Sequence, residues 1–182
     1  STPFAVSGLA TSTARVRVYL QTDPTNGDTS TANFSIVDPV ITVTWPNGGE
    51  SLTPGQSVML LWNSTNAPGT KRVEINRSYP GGDWGTLAAA VAADSLAWTV
   101  DQFASTVARI RVTSNSFGAA TDVSDANFTI LTPTLAVITP NGGEAWDIGS
   151  AHTIRWARSN FSGLVNVFFN NWYPNGTWET VQ

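Results

Sequence analysis

The sequence contains no cysteine, one histidine (His152) and one lysine (Lys71) among 182 residues. Without cysteine the chain can form no disulfide framework and offers no thiolate chemistry. One histidine without cysteine builds neither a Ser-His-Asp triad nor a zinc site of the usual kind. We therefore expect a protein that is not an enzyme and that needs no cofactor.

Charged residues are scarce as well, at 12% of the chain, and the formal net charge is −4. A nucleic-acid partner normally requires a basic patch, so we expect none. No apolar run is long enough to span a bilayer, and residue 1 is not followed by a basic targeting stretch. These absences leave the classes of structural protein and binding module.

The sequence does contain an internal repeat, and a repeat is stronger evidence of the fold than any local pattern. The copies lie 94 residues apart, without insertion or deletion. Trp62 corresponds in this way to Trp156. The motifs that recur are Ala-Arg-x-Arg-Val at 14–18 and 108–112, Ala-Asn-Phe-x-Ile at 32–36 and 126–130, and Pro-Asn-Gly-Gly-Glu at 46–50 and 140–144.

The phase of the repeat divides the chain into three parts. Residues 1–38 are the C-terminal half of one repeat, residues 39–132 are a complete repeat, and residues 133–182 are the N-terminal half of the next. We interpret the chain as a window on a longer periodic protein, or as a subunit whose halves complete each other head to tail. We predict that residues 133–182 are completed by the 1–38 half of the next unit, because each half alone leaves apolar faces and strand edges open.

The complete repeat reads as a series of short strands separated by turn residues, which is the pattern of an antiparallel sandwich. Residues 108–113 show it most clearly, since Ile110 and Val112 alternate with Arg109 and Arg111. The fold class that we predict is all-β, with tandem immunoglobulin- or fibronectin-III-like sandwiches. About seven strands are expected, and those that the pattern places are 40–45, 57–62, 71–78, 96–100, 108–113 and 126–131. Residues 88–93 are interpreted as a loop or a strand edge, and residues 122–125 as a turn.

Several of these motifs together resemble a known family. The carriers are Pro-Asn-Gly-Gly-Glu, a following glycine (Gly55 or Gly149), the tryptophan at 62 or 156, and Tyr-Pro-x-Gly-x-Trp at 79–84 and 173–178. The chain resembles the Ser/Thr-rich, GPI-anchored-type surface repeat, which is related to the N-terminal domain of yeast cell-wall glucan-assembly proteins. That family is common as tandem arrays in large bacterial and archaeal surface and secreted proteins.

The resemblance implies an immunoglobulin-like sandwich in an extracellular array at a microbial cell surface. We expect a structural stalk or head-to-tail filament whose partners are copies of itself or adjacent repeats of a longer chain. The alternative is a carbohydrate- or cell-wall-binding adhesin that uses aromatic side chains in its loops, with cell-wall polysaccharide as the partner. The family supplies no catalytic residue to carry over.

The aromatic residues fall into two groups. Trp62, Trp98 and Trp156 lie in inward strand phases and are expected in the core. The others surround a polar loop rich in Gly and Pro, where their rings could fold back over the domain, form an interface or stack on sugar rings. These loop aromatics are Tyr79, Trp84, Trp172, Tyr173 and Trp178.

Polar candidates for chemistry have simpler structural interpretations. Glu50 and Glu144 occupy a repeated turn, and a repeated residue is normally structural. Asp122, Ser124 and Asp125 could contribute oxygen ligands to a calcium site. Turn capping explains them as well, and the other copy has Thr31 in place of Asp125.

Six Asn-x-Ser/Thr sequons are candidate N-glycosylation acceptors on an exported protein. They are Asn33, Asn63, Asn76, Asn127, Asn160 and Asn175.

Overall fold

A computed structural model describes residues 1–6 and 8–181 of the chain. Strands, turns and extended segments make up this part of the protein, so the predicted all-β class is confirmed. None of its segments is a helix that could cross a lipid bilayer.

The complete repeat contains nine strands that form two facing sheets. The chain reaches them after four strands of the N-terminal half, which are β1 (Thr11–Ala14), β2 (Arg17–Leu20), β3 (Asp23–Thr29) and β4 (Phe34–Ile36). The nine strands are β5 (Val40–Trp45), β6 (Ser51–Leu52), β7 (Ser57–Thr65), β8 (Lys71–Asn76), β9 (Gly85–Val91), β10 (Ser95–Thr99), β11 (Ser105–Ser114), β12 (Thr121–Val123) and β13 (Phe128–Ile130). Four more strands follow in the C-terminal half, namely β14 (Thr134–Thr139), β15 (Arg155–Ser159), β16 (Phe168–Phe169) and β17 (Glu179–Thr180).

The two sheets of the complete repeat have the order of an immunoglobulin-like sandwich. One sheet runs β10-β7-β5, and the other runs β6-β13-β11-β8-β9 with β12 paired to β11. All these pairs are antiparallel except β6 with β13, which is parallel. The first strand of the fold is thus divided, with β5 in one sheet and β6 at the edge of the other.

Alternating side chains of the two sheets fill one core. Trp62 is 2% exposed and packs with Val43 and Leu60 from its own sheet, opposite Ile110 and Phe128 of the other. On β11 the inward residues are buried while Arg109 and Arg111 lie outside, as the alternation predicts. Trp98 is buried too, which confirms its predicted phase.

The alanine-rich stretch forms strand β9 at the edge of its sheet, with two register shifts against β8, so the strand-edge alternative is the one that the structure shows. Pairing with β8 outweighs its helical propensity. Two other features differ from the sequence-based expectation. Strand β6 has only two residues, too few for a visible alternation. Asp122 lies in β12 rather than in a turn, and its carboxylate accepts a hydrogen bond from the backbone N–H of Val43 at 2.8 Å.

The two half-repeats form only small sheets of their own. Strand β1 pairs with β4, β2 with β3, β14 with β15, and β16 with β17. Among the described residues, no strand of the N-terminal half pairs with a strand of the C-terminal half. Their inward-phase residues are therefore uncovered: Trp156 is 39% exposed, although the equivalent Trp62 is buried. The prediction that Trp156 lies in a core is wrong for this chain, because only half of its sandwich is present.

The C-terminal half touches the complete repeat beyond the chain link. The backbone N–H of Ser162 donates to the carbonyl of Pro54 at 2.9 Å, and the side-chain amide of Asn160 donates to Thr132 at 3.2 Å. At Gly55, where φ is +85°, an added Cβ would lie 1.7 Å from the carbonyl oxygen of Ser162. Only glycine therefore permits this close approach.

Candidate functional site

The loop between β8 and β9 is organised by one buried side chain. Asn76 has no exposed surface, and its amide nitrogen donates to the carbonyl of Gly82 at 2.6 Å. Its amide oxygen accepts the backbone N–H of Ser78 at 2.8 Å. These bonds hold the loop in the shape that brings Tyr79 and Trp84 together, with ring centroids 6.2 Å apart.

Both rings of this loop pack on arginines of strand β11. The guanidinium of Arg109 lies 4.3 Å from the centroid of Tyr79, and that of Arg111 lies 4.3 Å from the centroid of Trp84. Arg109 also donates to the side chain of Asn127, and Arg111 donates to the carboxylate of Glu74, each within 3 Å. In the complete repeat the rings therefore fold back over the domain, held by cation–π contacts.

The C-terminal half carries the same loop with nothing packed on it. Asn170 bonds to Gly176 and to the backbone of Trp172 in the manner of Asn76. Tyr173 and Trp178 have centroids 6.0 Å apart, close to the spacing of the complete copy. Their exposed fractions are 74% and 61%. Trp172 is also exposed, so all three candidate aromatics of this half face solvent.

The N-terminal half carries the arginines without the rings. Arg15 donates to the side chain of Asn33 at 2.7 Å and to the carbonyl of Ser30 at 3.3 Å, as Arg109 does to Asn127 and Ser124. The guanidinium is thus already oriented. Arg17, which corresponds to Arg111, donates to the carbonyl of Pro24.

The Asn-Gly-Gly-Glu turn is formed in both copies. The carboxylate of Glu50 accepts the backbone N–H groups of Asn47 and Gly48, each at 2.8 Å. Glu144 accepts those of Asn141 and Gly142 at 2.9 and 2.8 Å. Because both glutamates satisfy backbone donors of their own turn, the structural interpretation of this pair is supported.

Of the two copies, the turn of the complete repeat is the one that packs against another described segment, residues 125–126. Asn47 exchanges side-chain hydrogen bonds with Asp125, and its carbonyl accepts the N–H of Ala126. At Gly48, where φ is +135°, an added Cβ would lie 2.4 Å from the Cβ of Ala126. At Gly142, where φ is +119°, an added Cβ would meet nothing within 4 Å. The residue that corresponds to Ala126 is Ala32, in the other half-repeat.

The inner face of the C-terminal half is an open apolar cavity of about 430 Å³. Trp156, Trp146 and Phe169 contribute to its walls, and their equivalents Trp62, Leu52 and Ile75 are core residues of the complete repeat. The N-terminal half presents a set of exposed apolar residues whose equivalents fill the rest of that core. These are Phe4, Val6, Val16, Val18 and Phe34.

The polar candidates are used structurally. His152 stacks on Trp146 with ring centroids 4.4 Å apart, and its Nε2 lies 2.7 Å from the hydroxyl of Ser150. Asp122 and Asp125 accept hydrogen bonds from Val43 and Asn47. Within residues 1–6 and 8–181, no three histidines or carboxylates are grouped as metal ligands.

The sequons differ in access. Asn33, Asn63, Asn160 and Asn175 are exposed, and Asn127 is half-buried beneath its bond with Arg109. Asn76 is fully buried with its amide engaged, so this sequon is closed to an enzyme that acts on the folded domain. The sequence contained a signal for this outcome, because Asn76 recurs as Asn170 next to the repeated Tyr-Pro motif.

The exposed turn of the C-terminal half gives a pH prediction. Hydrogen bonds from the backbone N–H of Asn141, of Glu144 itself and of Gly142 lower the pKa of Glu144. A carboxyl group with a lowered folded-state pKa stabilises the turn above its unfolded value, about 4.3, and loses that effect as the pH falls through the folded value. We expect the amide NMR signals of Asn141 and Gly142 to shift together, with a midpoint below the ordinary pKa of a glutamate. A Glu144→Gln variant should abolish this titration, and a titration that persists in the variant would contradict the assignment.

The fold defines an all-β protein in which a closed sandwich is flanked by two segments with small sheets and exposed apolar faces. Comparisons with protein-family models, with curated proteins and with solved structures gave no match. Its function must therefore be argued from the faces and loops described above.

Proposed function

We propose that the protein is a structural repeat protein that assembles head to tail into a stalk or filament outside the cell, on a microbial surface. The observation that supports this proposal is that each half-repeat has an open apolar face. The exposed apolar residues of the N-terminal half correspond to one part of the core of the complete repeat, and those of the C-terminal half correspond to another part of the same core. Burying such apolar surface stabilises association by roughly 25 cal/mol per Å² before the costs of ordering are subtracted.

The complete repeat supplies the template for this association. In it, the segment equivalent to residues 133–182 packs against the segment equivalent to residues 1–38 around one core. A head-to-tail contact places different surfaces of the two copies together, which generates an open chain of subunits when the rotation between them does not close and a ring when it does.

Sedimentation of the purified chain over a range of concentrations tests the proposal. We expect a series of species at multiples of the 19.4 kDa chain, growing as the concentration rises. A chain that remains a monomer throughout would refute self-association. Labelling of intact cells with a membrane-impermeant reagent tests the extracellular location.

A second candidate function is favoured by a different observation. The exposed rings of Trp172, Tyr173 and Trp178 offer the kind of surface that stacks on sugars. The alternative is therefore an adhesin for cell-wall polysaccharide, in which avidity along an array compensates for weak single sites. Saturable binding to isolated cell wall that a Trp178→Ala variant loses, without any change in self-association, would favour this function over the first.

The loop of the complete repeat gives a stability prediction that separates the two roles. We expect Trp84→Ala to lower the free energy of unfolding by about 1–2 kcal/mol, because the ring lies over Arg111 and beside Tyr79. Urea denaturation measures the loss. Trp178→Ala is the matched control and should leave the stability of the monomer nearly unchanged, since its ring has no arginine above it. Equal losses in the two variants would contradict the cation–π assignment.

A further inference from the structure

We propose that neighbouring copies recognise each other through Arg15 and Arg17 of one copy, which stack on Tyr173 and Trp178 of the copy before it. The occupant of the open C-terminal face is thus residues 1–38 of a second copy of this chain. This inference rests on the proposed self-association, and it names the side chains that give the contact its orientation.

The first argument is that the two rings and one of the two arginines are already held as in the complete repeat, while Arg17 lies 5.4 Å from the ring centroid of Tyr19 in its own half and would have to turn from it. Tyr173 and Trp178 have the spacing of Tyr79 and Trp84, held by the same asparagine bonds. Arg15 is held by the same partners as Arg109. Side chains that are ordered before they meet lose less conformational entropy on binding, so this part of the contact is preorganised.

The second argument is that the complete repeat shows the finished contact. Arg109 and Arg111 lie 4.3 Å from the ring centroids of Tyr79 and Trp84. The equivalent arginines and rings of the half-repeats are 94 positions away, and they belong to opposite ends of the chain. When the halves of two copies adopt the arrangement of the complete repeat, Arg15 comes to Tyr173 and Arg17 comes to Trp178.

The third argument concerns the charges around the contact. In the complete repeat Arg77 forms an ion pair with Asp101. The sequence has Asn171 and Ser7 at the equivalent positions, so both charges are absent together and neither is left unpaired when two copies meet. At this place the two substitutions leave no lone charge, whereas Arg17 would meet the rings of Phe168 and Trp178 in place of the carboxylate of Glu74.

The turn with Gly142 fits the same geometry. At Gly48 there is no room for a Cβ, because Ala126 lies directly against it. The equivalent residue Gly142 is also glycine, although an added Cβ there would meet nothing within 4 Å. Ala32 of the second copy is the residue that would fill this position. The turn at Gly142 is therefore expected to belong to the same contact between two copies.

Two complementary double variants test the proposal. The first, Arg15→Met with Arg17→Met, keeps the rings and loses the arginines. The second, Tyr173→Leu with Trp178→Leu, keeps the arginines and loses the rings. We expect each variant alone to associate roughly 10- to 100-fold more weakly than the wild-type chain, since a desolvated cation–π contact is a strong one. Arg72→Met removes an exposed arginine of the complete repeat, outside both half-repeats, and should assemble like wild type.

The mixture of the two double variants gives the decisive result. One intact set of arginines and one intact set of rings remain in the mixture, so we expect a 1:1 complex of twice the chain mass and no longer species. If wild type assembles but both variants assemble equally well, the inference falls while the proposed function stands. If the variants are monomeric and the mixture forms no complex, the inference is overturned as well. A wild-type chain that never associates refutes the proposed function itself, and with it this inference.

Discussion

Replacing Trp62 with alanine is expected to destabilise the complete repeat by roughly 3–5 kcal/mol, the range for truncating a large buried aromatic residue. Trp62 is 2% exposed and belongs to the buried core that both sheets form, with Val43 as its partner on β5. The loss comes from the apolar contacts of the ring and from the cavity that truncation leaves. Its indole N–H adds nothing, since within the described chain it is a buried donor without a partner.

The measurement is hydrogen exchange of the backbone amides of β8 and β11 at increasing urea concentration. Because both strands belong to the complete repeat, it reports the stability of that domain alone. Trp62→Phe keeps most of the apolar volume and removes the unpaired donor, so it should cost less than about half of the alanine variant. Trp156→Ala, in the open half, should leave these amides unaffected in the monomer. A loss below about 1 kcal/mol for Trp62→Ala would show that the strand phase is wrong.

Gly48→Ala is expected to destabilise the complete repeat by about 2–4 kcal/mol, through backbone strain and through a clash. A φ of +135° is a conformation that side chains rarely adopt, and the new methyl group would lie 2.4 Å from the Cβ of Ala126. The turn would have to move away from Ala126, and this movement breaks the hydrogen bond from the N–H of Ala126 to the carbonyl of Asn47.

The repeat provides the control for this substitution. Gly142→Ala places the same methyl group in the same kind of turn, but without a neighbour. It should leave the stability of the complete repeat unchanged at low concentration, while blocking self-association at high concentration. Thermal unfolding of both variants, combined with sedimentation, distinguishes strain from contact. A Gly48→Ala variant as stable as wild type would contradict the docked turn.

The core of the complete repeat was predictable because burial leaves a period of two in the sequence. The alternation at residues 108–113 and the repeated tryptophan placed Ile110, Val112 and Trp62 correctly. For the alanine-rich stretch of β9 the sequence leaves a loop and a strand edge open, since the stretch carries helical propensity and only its pairing with β8 makes it a strand. Propensity is a weak signal wherever tertiary pairing decides the structure.

The functional surfaces were only partly visible in the sequence. Alternation showed that Arg109 and Arg111 point outward, and the Tyr-Pro motif marked an aromatic loop. Neither showed that the two features meet, because that depends on how far the loop folds back over the sheet. The register β8–β11 and the anchor Asn76 determine it. Asn76 itself was interpreted as a glycan acceptor, since a sequon gives no information on burial.

One acidic residue of the complete repeat is replaced by an aromatic residue in the C-terminal half, and this replacement affects how dissolved salt would act on the assembly. Glu74 forms an ion pair with Arg111, and the residue in its place in the C-terminal half is Phe168, which lies beside Trp178. Arg17 would therefore rest between two aromatic rings without a carboxylate. Dissolved salt screens exposed ion pairs, with a Debye length near 10 Å at 0.1 M, but acts little on apolar burial. Self-association through this contact should therefore weaken less with added salt than association through an exposed ion pair would.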